Sequence, residues 1–306
     1  MPKPRLLSLS ALALCVACGS EGTSPSPASL TGKILFVAAA LNGTDQADIY
    51  AINPDGTGLT NLTNHPAFYG PPAPSPDGTR LAFYRSSTSP SDSGDIYTLA
   101  ADGTNLQQVT FTAAEESSLS WRHDGGRLMF VKNRDIYTMA PDGSDTTRLT
   151  TDGTDYKTTP AWSPNGTFIV YSRYIDATAG YDLHRITASG QNDTSLTSLA
   201  GDDLSPAWNT DGQSLVFVHQ DLFAHLLTLD LATGDTATVT SGPVIDQTPA
   251  WSPGGDSLAF VRNPNALSAS KPQEVYLLVP GSGTPVPVTS FARLKFAHAS
   301  TWTNHP

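Results

Sequence analysis

Cys15 and Cys18 stand in the spacing of a redox or metal pair, C-x-x-C, and they are the only cysteines in the 306-residue chain. No βαβ pattern follows them, which a thioredoxin-like motif requires. Among the seven histidines, His219 and His225 flank the stretch QDLFA. A hairpin there would bring them together for a metal, although two ordinary strand residues would show the same spacing. Glu115-Glu116 and Asp202-Asp203 are paired carboxylates of the kind used in acid–base work. Against these stand several absences. The sequence contains no G-x-S-x-G, no H-E-x-x-H and no G-x-x-x-x-G-K-[ST]; its Gly-rich stretches SPGG and PGSG are turns. No catalytic residue, metal ligand or cofactor is therefore assigned, and the chain is expected not to be an enzyme.

The N-terminus explains the cysteines differently. Lys3 and Arg5 precede the apolar run LLSLSALALCVA at 6–17. Twelve helical residues span ~18 Å, short of a ~30 Å hydrocarbon core, so the run reads as a secretory signal. Val16-Ala17-Cys18-Gly19 resembles a bacterial lipoprotein processing box, with Cys15 where that family usually has Leu. The resemblance implies cleavage before Cys18 and lipidation of Cys18. With Gly19 following, it also implies an outer-membrane lipoprotein of the bacterial cell envelope, facing the periplasm. The expected organisation is a signal peptide at 1–17, a lipidated cysteine and flexible tether at 18–31, and one domain at 32–306. Loss of Lys3 and Arg5 leaves 15 basic residues against 28 acidic ones, a net charge of −13. Such a surface repels phosphate backbones, so nucleic acid is excluded as a partner. Contact with membrane is expected through the lipid anchor only, and a monomer is expected.

The elements that must position any site repeat along the chain. All five tryptophans, Trp121, Trp162, Trp208, Trp251 and Trp302, sit in one motif, as in PAWSPNG at 160–166; a further copy has Pro74 instead. Successive copies are 47, 41, 46, 43 and 51 residues apart, and nine residues after each internal marker comes Phe83, Phe130, Tyr171, Phe217 or Phe260. A Gly-containing turn separates the two, an apolar strand follows, and a third strand begins at Asp48, Asp95, Asp135, Asp182, His225 or Glu274. Each unit closes on Leu-Thr or Val-Thr at 62–63, 109–110, 149–150, 196–197, 239–240 and 288–289. Four short antiparallel strands in units of ~40–50 residues indicate an all-β fold, a six-bladed β-propeller of four-stranded antiparallel blades. The first copy of strands two to four lacks its own Trp strand. The expectation is that 296–302 supplies it and closes the ring.

The motif P-x-W-S-P-D-G, followed by an apolar strand and then I-Y, resembles the TolB-type (WD40-like) propeller repeat over about residues 32–306. Propeller domains of prolyl oligopeptidase relatives are similar, but their triad lies in a hydrolase domain with no counterpart here. The resemblance implies a propeller fold. TolB itself carries an extra α/β domain ahead of its propeller, whereas here a short tether separates Cys18 from the first strand. Three functions stay open: an envelope lipoprotein binding a protein, peptide or glycan; a carbohydrate-active lyase or hydrolase; and a structural scaffold without a specific small ligand.

The candidate binding site is the channel mouth, where the chain enters each inner strand. It comprises Phe68, Tyr69, Glu115, Glu116, Asp155, Tyr156, Asp202, Asp203, Asp246 and Phe296, with Lys157 the one base among them. Converging acids would focus negative potential on a cationic peptide segment or a metal ion. The same acids could equally cap loops by bonding to backbone amides. Ser118, Thr159, Ser205 and Thr248, three places before the marker, are expected to line a water-filled channel.

Overall fold

The computed structural model describes residues 30–40, 47–64, 67–86, 94–112, 114, 116–151, 155–266, 273–281, 283–289 and 294–302, with the side chains of 39, 40, 68 and 294–302 outside the description. The expected signal peptide, Cys18 and most of the tether lie outside these residues, as does Glu115.

Among the described residues there is no helix, and the strands fall into five sheets. In the third repeat unit Glu116–Trp121, Leu128–Lys132, Asp135–Met139 and Thr147–Arg148 pair in chain order as an antiparallel meander. The fourth unit repeats this with Lys157–Trp162, Phe168–Asp176, Gly180–Thr187 and Thr194–Ser195. The fifth (Asp202–Trp208 to Thr236–Thr238) and the sixth (Ile245–Trp251 to Val286–Pro287) form one eight-stranded sheet. They are joined by a single parallel pairing, Ala224 to Ile245. In the second unit the inner strand is broken into Phe68–Tyr69 and Ala73–Pro74, both pairing with Arg80–Ser86. Between the pieces lie Pro71 and Pro72, which have no N–H to give to a ladder.

The first unit takes its inner strand from the far end of the chain. Leu294–Trp302 runs antiparallel to Ile34–Ala40, with Ile34 opposite Trp302. Ile34, Phe36 and Ile52 of this unit pack with Ala259 and Val275 of the sixth.

The aromatic nine residues past the marker is the centre of each unit. Phe83, Phe130, Tyr171, Phe217 and Phe260 are fully buried, as is Phe36 in the first unit. Most stack on the third-strand ring across the ladder: Phe36 on Tyr50 at 5.8 Å, Phe130 on Tyr137 at 5.7 Å, Phe260 on Tyr276 at 6.1 Å. Two of the tryptophans hydrogen-bond to the unit before them. Trp121 Nε1 donates to Ala73 O of the preceding unit at 2.9 Å, and Trp208 Nε1 to Ala161 O at 3.2 Å.

Each unit is closed by its final threonine. The hydroxyls of Thr63, Thr110, Thr150, Thr197, Thr240 and Thr289 accept the third-strand N–H of Ile49, Ile96, Ile136, Leu183, Leu226 and Val275, at 2.9–3.1 Å. The fourth strands are only two or three residues long. The hydroxyl therefore satisfies a buried donor that the ladder no longer reaches.

Candidate functional site

In a four-stranded meander the connections alternate between the two ends. The entry to each inner strand therefore shares a face with the hairpin between strands two and three, and the Gly turns after the markers lie at the other face. Contacts across units agree. Arg134, in a second hairpin, donates to Tyr156 Oη at 2.6 Å with its guanidinium 3.9 Å above the Tyr156 ring. Tyr181 N donates to Asp202 Oδ1 at 3.0 Å.

On this face the predicted acids do not stand free. Glu116, Asp203 and Asp246 are 1 %, 0 % and 0 % exposed, and each faces a basic side chain across the ladder. Arg262 holds Asp246 through two bonds of 2.6 and 2.7 Å. His219 Nδ1 lies 2.7 Å from Asp203 Oδ1, and Lys132 Nζ lies 3.6 Å from Glu116 Oε1. Glu116 also accepts the hydroxyls of Thr110 at 2.5 Å and Thr112 at 3.1 Å. Lys157, at the same position in the fourth unit, is buried 3.5 Å from Asp135, to which Arg148 is also paired. The converging negative potential expected of these acids is therefore offset by Lys132 at Glu116 and by Arg262 at Asp246, with the His219 imidazole beside Asp203. The loop-capping alternative holds for Asp202, which accepts the Tyr181 backbone N–H, while the buried Glu116, Asp203 and Asp246 are met by side chains instead.

The basic partners lie sixteen residues beyond the mouth positions: Arg85 after Tyr69, Lys132 after Glu116, Arg173 after Lys157, His219 after Asp203 and Arg262 after Asp246. That period is present in the sequence but joins two strands across a hairpin, so no inner strand taken singly displays it.

Of the remaining predicted residues, Tyr156 is exposed, and Tyr69, Asp155 and Asp202 are half-buried. Asp155 is paired with Arg173 at 2.6 Å. Phe68 and Phe296 have only their backbone described, on Phe68–Tyr69 and Leu294–Trp302. His219 and His225 are cross-strand neighbours, as a hairpin requires, but His225 Nε2 is engaged with Gly242 O at 2.7 Å. Among the described residues no group of three His, Cys, Asp or Glu side chains is arranged to hold a metal.

Two pKa shifts mark the junction of the fourth and fifth units. Burial pushes the Asp203 carboxyl up, against its bonds to Thr197 and His219. Burial also raises Asp182, and the charge of Asp203 adds to it.

A cavity opens at the other face. About 510 Å³ is lined by Pro71–Pro74 and by the strand ends Ser118–Trp121, Thr159–Trp162, Ser205–Trp208 and Thr248–Trp251, with His123 and Thr210 at the turns. None of its lining side chains is an acid, lysine or arginine. Ser118, Thr159, Ser205 and Thr248 do line it, as expected, and they share a left-handed φ of 56°, 49°, 51° and 49°. Each marks a shift in register against the second strand, a bulge that turns the inner strand toward the channel. Left-handed backbone at a β-branched threonine is uncommon and costs stability. Its fourfold repetition shows that the units require the bulge. A smaller cavity of about 330 Å³ lies between Tyr69, Pro71, Leu204, Val218, Gln220 and Gln247.

This architecture is shared with known structures. TolB from Acinetobacter baumannii superimposes with a TM-score of 0.75 at 17% identity, over 89% of this chain and 67% of that one. A TolB-like protein from Agrobacterium tumefaciens gives 0.69 at 19% identity, over 90% and 92%. Kuenenia stuttgartiensis hydrazine synthase gives 0.68 at 13% identity, over 91% of this chain and 47% of that one. At these identities the likeness is one of fold alone. No curated protein matches the sequence. Residues 18–210, well over half of the chain, match the model described as the TolB beta propeller domain, and the chain belongs to that family.

Proposed function

We propose that the chain is a non-enzymatic lipoprotein of the bacterial cell envelope, whose propeller binds a protein or peptide partner at the face where the inner strands begin. The observation that carries this is the distribution of exposed apolar side chains. Of the eight exposed large apolar side chains among the described residues, the two most exposed, Phe111 at 78 % and Leu222 at 83 %, sit with Tyr156 and Ile175 on inner-strand entries and second hairpins of that one face, while Leu59, Leu106, Val279 and Val286 lie at the turns before the fourth strands or on them. Large apolar groups clustered on one face of a soluble domain mark an interaction surface. Tyr69, Asp155, Tyr156 and Asp202 would form its inner rim, held from below by the paired Glu116, Asp203 and Asp246. The rigid support is a closed ring of six blades. In its favour, Leu294–Trp302 pairs with Ile34–Ala40, and a Cβ on Gly56 of the first unit would come 2.8 Å from Val288 O of the sixth. Similarly, a Cβ on Gly103 would come 2.9 Å from Leu62 O of the unit before it.

The test is capture of envelope proteins on the immobilised domain. Phe111→Ser with Leu222→Ser should lose a partner that the parent retains, at unchanged melting temperature; equal retention would overturn the assignment of this face. Lipidation at Cys18 is tested separately. Cys18→Ala should move the protein from the membrane pellet to the soluble fraction, and a variant that still pelleted would refute the anchor.

A further inference from the structure

Charge is divided unevenly around the ring. Between Tyr174 and Val261 the chain carries eleven aspartates and one arginine, Arg185, with no lysine. The Arg185 guanidinium lies 4.8 Å over the ring of Phe168, which begins its strand at the turn face. This stretch therefore sends no lysine or arginine to the mouth face. Its histidines are engaged, His184 by Asp193, His219 by Asp203 and His225 by Gly242 O. Arg173, just ahead of the stretch, is held by Asp155 and Asp193 at 2.6 Å each.

Two second hairpins of this sector each join an apolar tip to a carboxylate. In the fourth unit Ile175, 40 % exposed, is followed by Asp176; in the fifth, Asp221 is followed by Leu222, 83 % exposed. Both carboxylates are exposed and fixed by their own loops. Asp176 Oδ1 accepts Thr178 N at 2.7 Å and Ala179 N at 2.9 Å, and Asp221 Oδ1 accepts Phe223 N at 3.1 Å. Those donors are neutral amides, and among the described residues neither carboxylate enters an ion pair. The two hairpins are continuous. Asp176 stands opposite Gly180, and a Cβ on Gly180 would come 2.4 Å from Asp202 Oδ1 of the fifth unit. Asp202 in turn stands opposite Gln220, the residue before Asp221. A third, half-buried carboxylate thus lies between the two tips.

Any partner that buries Ile175 and Leu222 must lay its own surface over Asp176, Asp202 and Asp221. A neutral or acidic partner would strip water from those charges and give nothing in return. Lysine and arginine meet both demands, since their stems cover apolar surface while their heads reach the carboxylates. Taking the mouth face as the interaction surface proposed above, we infer that these two hairpins are its docking sector, and that the sector takes a protein segment whose apolar side chains are flanked by lysine or arginine. The charge of the sector acts as a selector: it repels acidic segments, and the apolar tips hold what the charge admits.

The probe is a blocked, fluorescent peptide Lys-Leu-Lys-Leu-Lys, titrated by anisotropy into the full chain at low salt beside its Glu-Leu-Glu-Leu-Glu counterpart. The basic peptide should bind and the acidic one should not. Asp176→Asn with Asp221→Asn keeps the oxygens that cap both loops and should weaken binding by at least ~2-fold, and by up to ~5-fold per carboxylate. Asp211→Asn with Asp230→Asn removes the same charge from turns of the fifth unit, where these side chains cap Gln213 N and Ala232 N, and should leave binding unchanged. Salt should erase the difference between parent and first pair, since screening shortens from ~10 Å at 0.1 M to ~3 Å at 1 M. Equal losses in the two pairs overturn the proposal, because net charge alone would then act. So do a basic peptide that does not bind, an acidic one that binds equally, and a Leu222→Ser form that binds like the parent. The face and its charge fail separately. An envelope protein lost by Phe111→Ser with Leu222→Ser, yet retained in full by the Asp176→Asn and Asp221→Asn pair, would keep the face and overturn the basic partner.

Discussion

Thr150→Val removes one hydroxyl from the end of the third unit and keeps the shape of the side chain. Thr150 Oγ1 accepts the Ile136 N–H at 3.0 Å and donates to Asp135 Oδ1 at 2.8 Å. Water cannot replace it, since Ile136 is 0 % and Asp135 2 % exposed. A buried donor left unsatisfied costs ~1–3 kcal/mol, and a hydrogen bond to a charged group is worth ~1.5–3 kcal/mol. Arg148 and Lys157 still hold the carboxylate. The two losses therefore overlap, and a total of ~2–4 kcal/mol is expected. At ~2–4 °C per kcal/mol for a domain of this size, the melting temperature should fall by ~4–16 °C. Thr150→Ser keeps both bonds and removes one methyl, for ~1 kcal/mol. Circular dichroism melts of parent, serine and valine forms decide the matter. A valine form melting within ~2 °C of the serine form would refute the view that hydroxyls close these units, here and at the five equivalent threonines.

The same reasoning gives further outcomes. Gly190 has φ +81°, and a Cβ there would run into the Leu149 carbonyl of the preceding unit, whereas Gly234, at φ +79°, faces open space. Gly190→Ala should therefore cost more than the ~1–2 kcal/mol of left-handed strain expected for Gly234→Ala; equal urea midpoints would count against close packing at that junction. Arg262→Met strands the buried Asp246 carboxylate and should cost ~3–5 kcal/mol, while adding Asp246→Leu should recover most of it, as a double-mutant cycle will report. Deleting 294–306 unpairs the edge of Ile34–Ala40 and should give aggregation-prone material by light scattering. A monomeric truncation with an unchanged melting temperature would sink the closed ring.

What the sequence discloses and what it hides separate along a physical line. The buried aromatics, the Gly turns and the third-strand starts were legible because each answers a local demand, a side chain facing the unit's centre or a backbone needing positive φ, and the demand recurs in every unit. The pairing of mouth acids with basic side chains was hidden because it joins two strands through a hairpin. Asp203 read alone is a surface charge at an entry; beside His219 it is a buried partner. The bulges were hidden for another reason. Ser118, Thr159, Ser205 and Thr248 adopt left-handed backbone without the glycine that ordinarily announces it. Those bulges also line the cavity at the turn face, opposite the predicted mouth. Charge follows the same logic. The repeat conserves the geometry of a junction, not the sign of the group placed in it, so Lys157 and Asp203 fill equivalent positions with opposite charge. The fold accommodates the exchange with the closing threonine present at both, Thr150 under Ile136 N and Thr197 under Leu183 N.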